Sequence, residues 1–276
     1  MKKMYVENAE KKKIAVIMPS LVAGFLIALW GYVQFFPTNT FHWVLSAATI
    51  VGCTGPAILF QLNYRRKNMI DENLPRLLED IAESQETGMT LIQSIEESSR
   101  RRYGPLTAEL KRLIVKLSWG IKFEDAFQDF AHRAQTEMTQ KVTTLILQAI
   151  HLGGDLKKVF GSTAAFTRKV IDIRKERNSQ LRQYVFTIYT IMIIFQVIIV
   201  ILYQSFFVPF SSGGERFLVL KISPESFKGV ITDLATIEAI VGGIIAGKLG
   251  EGTIYLGLKH SVIMLLISLF VVVFLL

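Results

Sequence analysis

The residues of this chain that could do chemistry do not form a catalytic site. The segment Gly242-Gly-Ile-Ile-Ala-Gly247-Lys248-Leu249 nearly matches the phosphate-binding loop G-x-x-x-x-G-K-[ST]. Leu249, however, stands where a hydroxyl group should hold magnesium, and no strand pattern precedes the segment. Small residues in an apolar segment are also typical of closely packed membrane helices. We therefore interpret this segment as a helix-packing surface and predict no nucleotide site.

Metal and nucleophile chemistry is equally poorly supported. Cys53 is the only cysteine, which excludes an intrachain disulfide and a thiolate metal cluster. Ligand spacing is absent among the four histidines, which are His42, His132, His151 and His260. We therefore predict that the chain is not an enzyme and carries no metal and no cofactor.

Two acidic residues, Asp233 and Glu238, lie near or within an apolar stretch. An ionisable side chain at membrane depth is costly, and it is by default a candidate functional site. Alternatively, both side chains lie in the membrane interface or extend toward water. The sequence leaves both interpretations open.

Long apolar runs decide the class of protein. Residues 184–208 contain no charge across 25 positions, and residues 261–276 contain none across 16. About 20 consecutive apolar residues cross a bilayer, and mid-bilayer charges cost roughly 3 kcal/mol on insertion scales. With the runs 14–36, 41–62 and about 230–247, five spans are predicted. We expect an all-α, multi-span membrane protein.

The spans divide the chain into three parts. Residues 1–62 form an N-terminal tail and two transmembrane helices, and residues 63–183 form a charged helical bundle. Residues 184–276 form three transmembrane helices with an extracytoplasmic loop at about 209–236.

Of the 31 lysines and arginines, 5 lie in residues 1–13 and 21 in residues 63–183. The positive-inside rule then places the N-terminus and residues 63–183 in the cytoplasm of a multi-pass cell-membrane protein. Since the bundle also holds 16 acids, nucleic acid is not an expected partner.

The bundle has helical periodicity throughout. Apolar residues recur at i, i+3, i+4 and i+7 in four stripes. The first stripe contains Leu74, Leu77, Leu78 and Ile81. The fourth contains Val142, Leu145, Ile146, Ala149 and Ile150. Breaks near Gly88, Gly104-Pro105, Gly120, Thr136 and Gly153 predict about six helices. The last is predicted to run unbroken from Asp155 into the third span, as a stiff rod.

Three of these breaks share one motif. Gly88, Gly120 and Gly153 each begin the pattern Gly-x-x-Φ-x-x-small-Φ, where Φ is apolar, at spacings of 32 and 33 residues. Glycine can adopt a positive φ at a helix C-terminus, after which the next helix begins. A period near 33 residues is typical of helix-hairpin repeats, although regular hairpins in any bundle could give the same spacing.

Basic clusters are the candidate partner-binding features. Arg100, Arg101 and Arg102 close a predicted helix, where they either complement the helix dipole or dock an acidic partner. The rod carries six further cations near the membrane, for which dipole complementation and attraction to anionic headgroups suffice. These six are Arg168, Lys169, Arg174, Lys175, Arg177 and Arg182.

The order of these motifs resembles the type II secretion F-domain family, the assembly-platform proteins of type II secretion, type IV pili, tight-adherence pili and archaella. The resemblance covers about residues 60–276. It rests on Asp71-Glu-Asn-Leu-Pro-Arg-Leu-Leu-Glu-Asp-Ile-Ala, the Gly88 and Gly120 motifs and Gly153-Gly-Asp-Leu. The tail Gly247-Lys-Leu-Gly-Glu-Gly…Gly257-Leu-Lys-His260-Ser is similar to the archaeal branch.

The resemblance implies a non-enzymatic role. Family members dock a six-helix cytoplasmic bundle in the pore of a hexameric secretion ATPase and couple its cycle to the addition of pilin-like subunits at the membrane. Many carry two such bundles, whereas one is found here, which implies a homodimer or a paralogous second subunit. The alternative function is a transporter or signal-transducing subunit with a regulatory bundle. A transporter should show matching sets of spans, and the 2 + 3 arrangement has no such symmetry.

Overall fold

A computed structural model describes residues 2–36, 38, 40–209 and 224–275. Within this part of the chain the fold is all-α, with nine α-helices. These are α1 (Lys2–Phe35), α2 (Thr40–Glu86), α3 (Leu91–Arg100), α4 (Pro105–Ser118), α5 (Phe123–Ala134), α6 (Glu137–His151), α7 (Leu156–Leu202), α8 (Pro224–Glu251) and α9 (Gly257–Leu275). A π-helical turn, Tyr203–Phe207, follows α7, and a 3₁₀ turn, Ile254–Leu256, precedes α9.

Five helices are long and apolar enough to cross a membrane, as the sequence predicted. They contain the segments Ile17–Phe35, Thr40–Glu86, Leu156–Ser205, Phe227–Glu251 and Ile254–Phe274. The fourth begins earlier than expected. The predicted end of the loop, about residue 236, is wrong because Pro224 already begins α8. Half of the predicted loop, residues 210–223, lies outside the described residues. Pro224 suits the first turn of a helix, since its missing N–H would be unpaired there anyway.

The chain divides into two compact units. One comprises Met1–Gln61 with Asn178–Leu276, and the other comprises Leu62–Arg177. Both α2 and α7 continue without a break through the boundary, so the prediction of an unbroken α7 is confirmed. We call the second unit the bundle and the first the membrane unit.

The bundle buries the stripes that periodicity predicted, with one exception. Leu74, Leu77, Leu78 and Ile81 of α2 are all buried in the central apolar cluster. On α6, Leu145 is 48% exposed, which corrects its assignment to the core stripe. Thr143, two residues away and therefore on the opposite side of the helix, is buried instead, together with Thr139. The buried face of α6 is partly polar, and apolar periodicity alone could not locate it.

Close backbone contacts hold the membrane unit together. A Cβ atom on Gly243 would lie 2.2 Å from the Ser261 backbone nitrogen, and one on Gly247 would lie 2.1 Å from the Gly257 nitrogen. These glycines lie on one face of α8 and their partners lie four residues apart on α9, so the two helices cross with their backbones in contact. Residues 242–249 are therefore helical and tightly packed, as interpreted from sequence, and do not form a phosphate-binding loop.

Candidate functional site

The three glycine turns have the same backbone structure. Gly88, Gly120 and Gly153 have φ values of 88°, 77° and 68°, in the region that side chains with a Cβ disfavour. The N–H of the next residue bonds to the carbonyl five positions back in each turn, as Ile121 does to Lys116 at 3.2 Å. Each following helix begins three residues after its glycine. The shared motif therefore encodes a repeated helix connector.

All three connectors lie at one end of the bundle, which we call the turn end. Lys157 at the start of α7 pairs with Glu86 at the end of α2 at 3.2 Å, so the Gly88 and Gly153 turns are neighbours. Helices α4 and α5 form an antiparallel hairpin, joined by the Lys116–Asp129 ion pair. Because helix direction alternates from α4 through α7, the Gly120 turn lies at the same end.

Large apolar side chains are exposed at the turn end. Trp119, beside Gly120, is 75% exposed, and Leu152, beside Gly153, is 86% exposed. Met89 and Ile121, which flank the same turns, are also exposed. Single exposed apolar residues are ordinary, but several at one end of a bundle are typical of a binding surface.

The three arginines predicted from sequence to bind a partner differ in their ion pairs within the bundle. Arg101 Nη1 lies 2.7 Å from Asp80 Oδ1, so this arginine anchors the end of α3 to α2. Arg100 makes only loose pairs of 3.8 Å with Glu96 and Glu97 on its own helix. Arg102 is exposed and carries no ion pair in the described part of the chain. Arg100 and Arg102 remain available to a partner, and they lie at the opposite end of α3 from the Gly88 turn.

Tyr103 forms a buried polar contact beside this cluster. Its hydroxyl donates to Asp80, the same carboxylate that pairs with Arg101. The tyrosine is fully buried, and burial followed by the neighbouring carboxylate raises the pKa of Tyr103 well above its usual value of 10.0. Arg76 lies over its ring, 5.9 Å from the centroid. The contact fixes where α3 ends relative to α2.

A second buried acid, Glu109, was missed by sequence reasoning. It is 2% exposed and contacts Arg66 at 3.3 Å, Arg112 at 3.4 Å and Arg133 at 2.8 Å. Its position could have been found, because Glu109 lies between Leu106 and Leu113 at the i, i+3, i+7 spacing of the buried stripe. A charged residue at a core position requires a partner of opposite charge.

Cations on α7 face acids on α2 along the bundle. The pairs run antiparallel along residues 71–86 of α2, a helical rise of about 22 Å. Three of the six rod cations therefore have acidic partners on α2. The contacts are Glu86–Lys157 at 3.2 Å, Glu79–Arg168 at 2.5 Å, Glu72–Lys175 at 4.0 Å and Asp71–Arg174 at 3.1 Å.

The two acids of α8 have different surroundings. Asp233 Oδ1 lies 2.9 Å from Nδ1 of His42 on α2, so this carboxyl group has a partner within the membrane unit. Glu238 Oε2 is buried and has no hydrogen-bond partner among the described residues. The two acids therefore differ in their hydrogen bonding: among the described residues, Asp233 has a partner and Glu238 Oε2 has none.

These features define an α-helical, multi-span membrane protein with a helical bundle between its second and third spans. Residues 77–204 match the family described as type II secretion system (T2SS), protein F, so the chain carries a domain of that family. The family consists of non-enzymatic platform proteins, in agreement with the predicted lack of enzyme activity.

Two relatives come from Methanocaldococcus jannaschii. An uncharacterized protein is 24% identical over 213 residues, which cover 73% of this chain and 33% of the relative. Flagella accessory protein J is 27% identical over 125 residues, which cover 45% of this chain and 22% of the relative. The chain thus spans a third or less of the length of these relatives. No solved structure matches the chain.

Proposed function

We propose that this chain is an assembly-platform subunit of an archaeal type IV pilus or archaellum-like machine. It couples a hexameric cytoplasmic secretion ATPase to the insertion of pilin-like subunits in the membrane. The T2SS protein F domain and the distant similarity to flagella accessory protein J support this assignment. In the proposal the N-terminus and the bundle are cytoplasmic.

One structural observation carries the mechanical part of the proposal. Helices α2 and α7 each continue from the bundle into a membrane span without a break, and ion pairs join them along the bundle. A continuous helix resists bending more than a loop does, so a force on the bundle reaches two spans directly. The bundle takes its energy from its partner, because it belongs to a family without catalytic activity.

The turn end is the surface that we assign to the ATPase. It presents Trp119 and Leu152 to solvent, and tryptophan is one of the residue types enriched at binding hot spots. Arg100 and Arg102 form the second candidate contact. Arg101, the third arginine predicted from sequence, is a weaker candidate because its guanidinium group already pairs with Asp80.

Binding of the full-length chain in lipid nanodiscs to the purified ATPase tests the proposal. Trp119→Ser with Leu152→Ser is expected to weaken binding at least about tenfold, since a hot-spot residue contributes about 2 kcal/mol or more. Leu145→Ser is the control, because Leu145 is also an exposed apolar side chain, at 48%, but lies within α6 rather than beside a turn. Arg100→Glu with Arg102→Glu tests the other site.

The outcomes test the coupling function and the assigned contact surface independently. If the unmodified chain does not bind the ATPase, the coupling function is wrong. If binding survives the turn-end changes but is lost with the arginine changes, the function stands and the contact moves to the end of α3.

A further inference from the structure

Two polar side chains in the membrane unit lack the partners that their neighbours have. Gln196 on α7 is 3% exposed, yet neither its amide oxygen nor its amide nitrogen has a hydrogen-bond partner among the described residues. Glu238 on α8 has the unpaired Oε2 atom described above. By contrast, Tyr189 pairs with His260 at 2.9 Å and Ser46 with Thr236 at 2.7 Å. These four side chains therefore find their partners within the membrane unit.

Both unpaired side chains lie at a similar depth on facing helices. Tyr203 stacks on Phe227 at 6.3 Å, and Ile188 lies against Gly242, so α7 and α8 run antiparallel. This register places Gln196 within about one helical turn of the level of Glu238.

A groove opens beside Glu238 between the two helices. Its volume is 290 Å³, and it is lined from α7 by Ile188, Ile191 and Met192 and from α8 by Glu238, Val241 and Ile245. Among the described residues that line the groove, only Glu238 has a polar side chain. Because both walls are candidate membrane spans, the groove is open to an occupant that lies in the bilayer.

The chemistry of the groove selects among such occupants. A lipid tail fits apolar walls but offers no hydrogen bond to the carboxyl group. Water is scarce in the hydrocarbon region, and an unsatisfied polar group there is costly. A transmembrane helix with a donor side chain supplies both the apolar surface and the missing hydrogen bond, as polar side chains do between packed membrane helices.

We propose that the α7–α8 groove binds one transmembrane helix of a partner protein through a hydrogen-bond donor that meets Glu238. We identify that helix as the apolar segment of the pilin-like subunit, and this identification rests on the proposed function. The proposal that the groove binds a transmembrane helix does not rest on that function, because the geometry of the groove and its unpaired carboxyl group are independent of the ATPase contact. Gln196, about one turn away, is 3% exposed and does not line the groove, so the proposal rests on Glu238.

Photo-crosslinking of the full-length chain in phosphatidylcholine nanodiscs tests the proposal. The probes are three synthetic Leu/Ala transmembrane peptides that carry a central Lys, Leu or Glu. A photoreactive residue replaces Ile191 on the groove wall or, as a control, Ile193 on the opposite face of α7. We expect the Lys peptide to crosslink at position 191 about tenfold more than the Leu or Glu peptide, and to show no such preference at position 193.

Matched variants assign the effect to the carboxyl group. Glu238→Leu is expected to abolish the preference for the Lys peptide. Asp233→Asn should retain it, because Asp233 lies on the same helix but already pairs with His42. Val241→Trp keeps Glu238 and fills the groove from an exposed wall position, so it should abolish crosslinking of all three peptides. Circular dichroism of each variant verifies folding.

Equal crosslinking of the three peptides, or none at position 191, would overturn the proposal. A preference for the Lys peptide that survives Glu238→Leu would also do so. ATPase binding measured on the same nanodiscs distinguishes the proposed coupling function from the proposed helix binding in the groove. Donor-dependent crosslinking without ATPase binding would refute the proposed function but support the groove, whereas the opposite pair of results would refute the groove alone.

Discussion

Glu109 on α4 accepts a 2.8 Å hydrogen bond from Nε of Arg133 on α5, in the interior of the bundle. Arg133 also pairs with Asp129, and its Nη2 atom has no partner among the described residues. The arginine side chain is only 11% exposed, and its charge is balanced by these two acids. A buried ion pair need not stabilise a protein relative to an apolar pair, but removing one partner leaves an uncompensated buried charge.

We expect Glu109→Leu to lower the free energy of unfolding of the bundle by about 3–5 kcal/mol. Asp125→Asn is the control, because Asp125 is an exposed acid in the first turn of α5, where the change should cost under about 1 kcal/mol. Chemical or thermal unfolding of the detergent-solubilised chain measures both. Equal stability of the two variants would contradict a structural role for Glu109.

Adjacent residues on α2 provide a test of its pairing with α7. Asp71 is buried and lies 3.1 Å from Arg174, whereas Glu72 is exposed and lies 4.0 Å from Lys175. Asp71→Asn should destabilise the bundle by about 1–3 kcal/mol, because a charge-assisted hydrogen bond is lost at a buried site. Glu72→Gln should cost less than about 1 kcal/mol, as exposed ion pairs do. The same unfolding measurement compares them, and a larger effect at Glu72 would refute this assignment.

The positions of the helix breaks could be predicted because they depend on local chemistry. Gly120 ends α4 with a positive φ, and Thr90 begins α3 by a capping box with Gln93, in which Thr90 N–H donates to Gln93 Oε1 at 3.0 Å. Both signals lie within a few residues of the break. The partners of Arg101 and Glu109 could not be predicted in this way. Asp80 and Arg133 are more than 20 residues from them in sequence, and only the tertiary fold brings them together.

Tyr103 should make the stability of the bundle depend on pH in the alkaline range. Its folded-state pKa is raised above 10.0, so folding favours the neutral phenol. This contribution is fully present below pH 10.0 and decreases as the pH rises through the folded-state pKa. Tyr103→Phe removes the hydrogen bond to Asp80 and should cost about 1–2 kcal/mol at pH 7.

The stability difference between the unmodified chain and Tyr103→Phe should therefore shrink above pH 10, since only the unmodified chain loses the contribution of this tyrosine. Unfolding measured from pH 7 to pH 11 gives the difference directly, and other titrating groups cancel because both proteins share them. A difference that is constant over this range would contradict the assigned pKa direction.

The α8–α9 crossing should tolerate no side chain at Gly247. A Cβ atom there would meet the Gly257 backbone nitrogen at 2.1 Å, so Gly247→Ala must separate the two helices. Overpacking of this kind costs about 1–3 kcal/mol, and the contact with backbone leaves no flexible side chain to move aside. Gly161→Ala is the matched control, since Gly161 lies within α7 and a Cβ there meets nothing within 4 Å. That change should be neutral or stabilising by up to about 1 kcal/mol, because alanine favours the helix. Thermal unfolding in detergent should show a lower midpoint for Gly247→Ala only, and equal midpoints would mean that the two helices do not pack through this glycine.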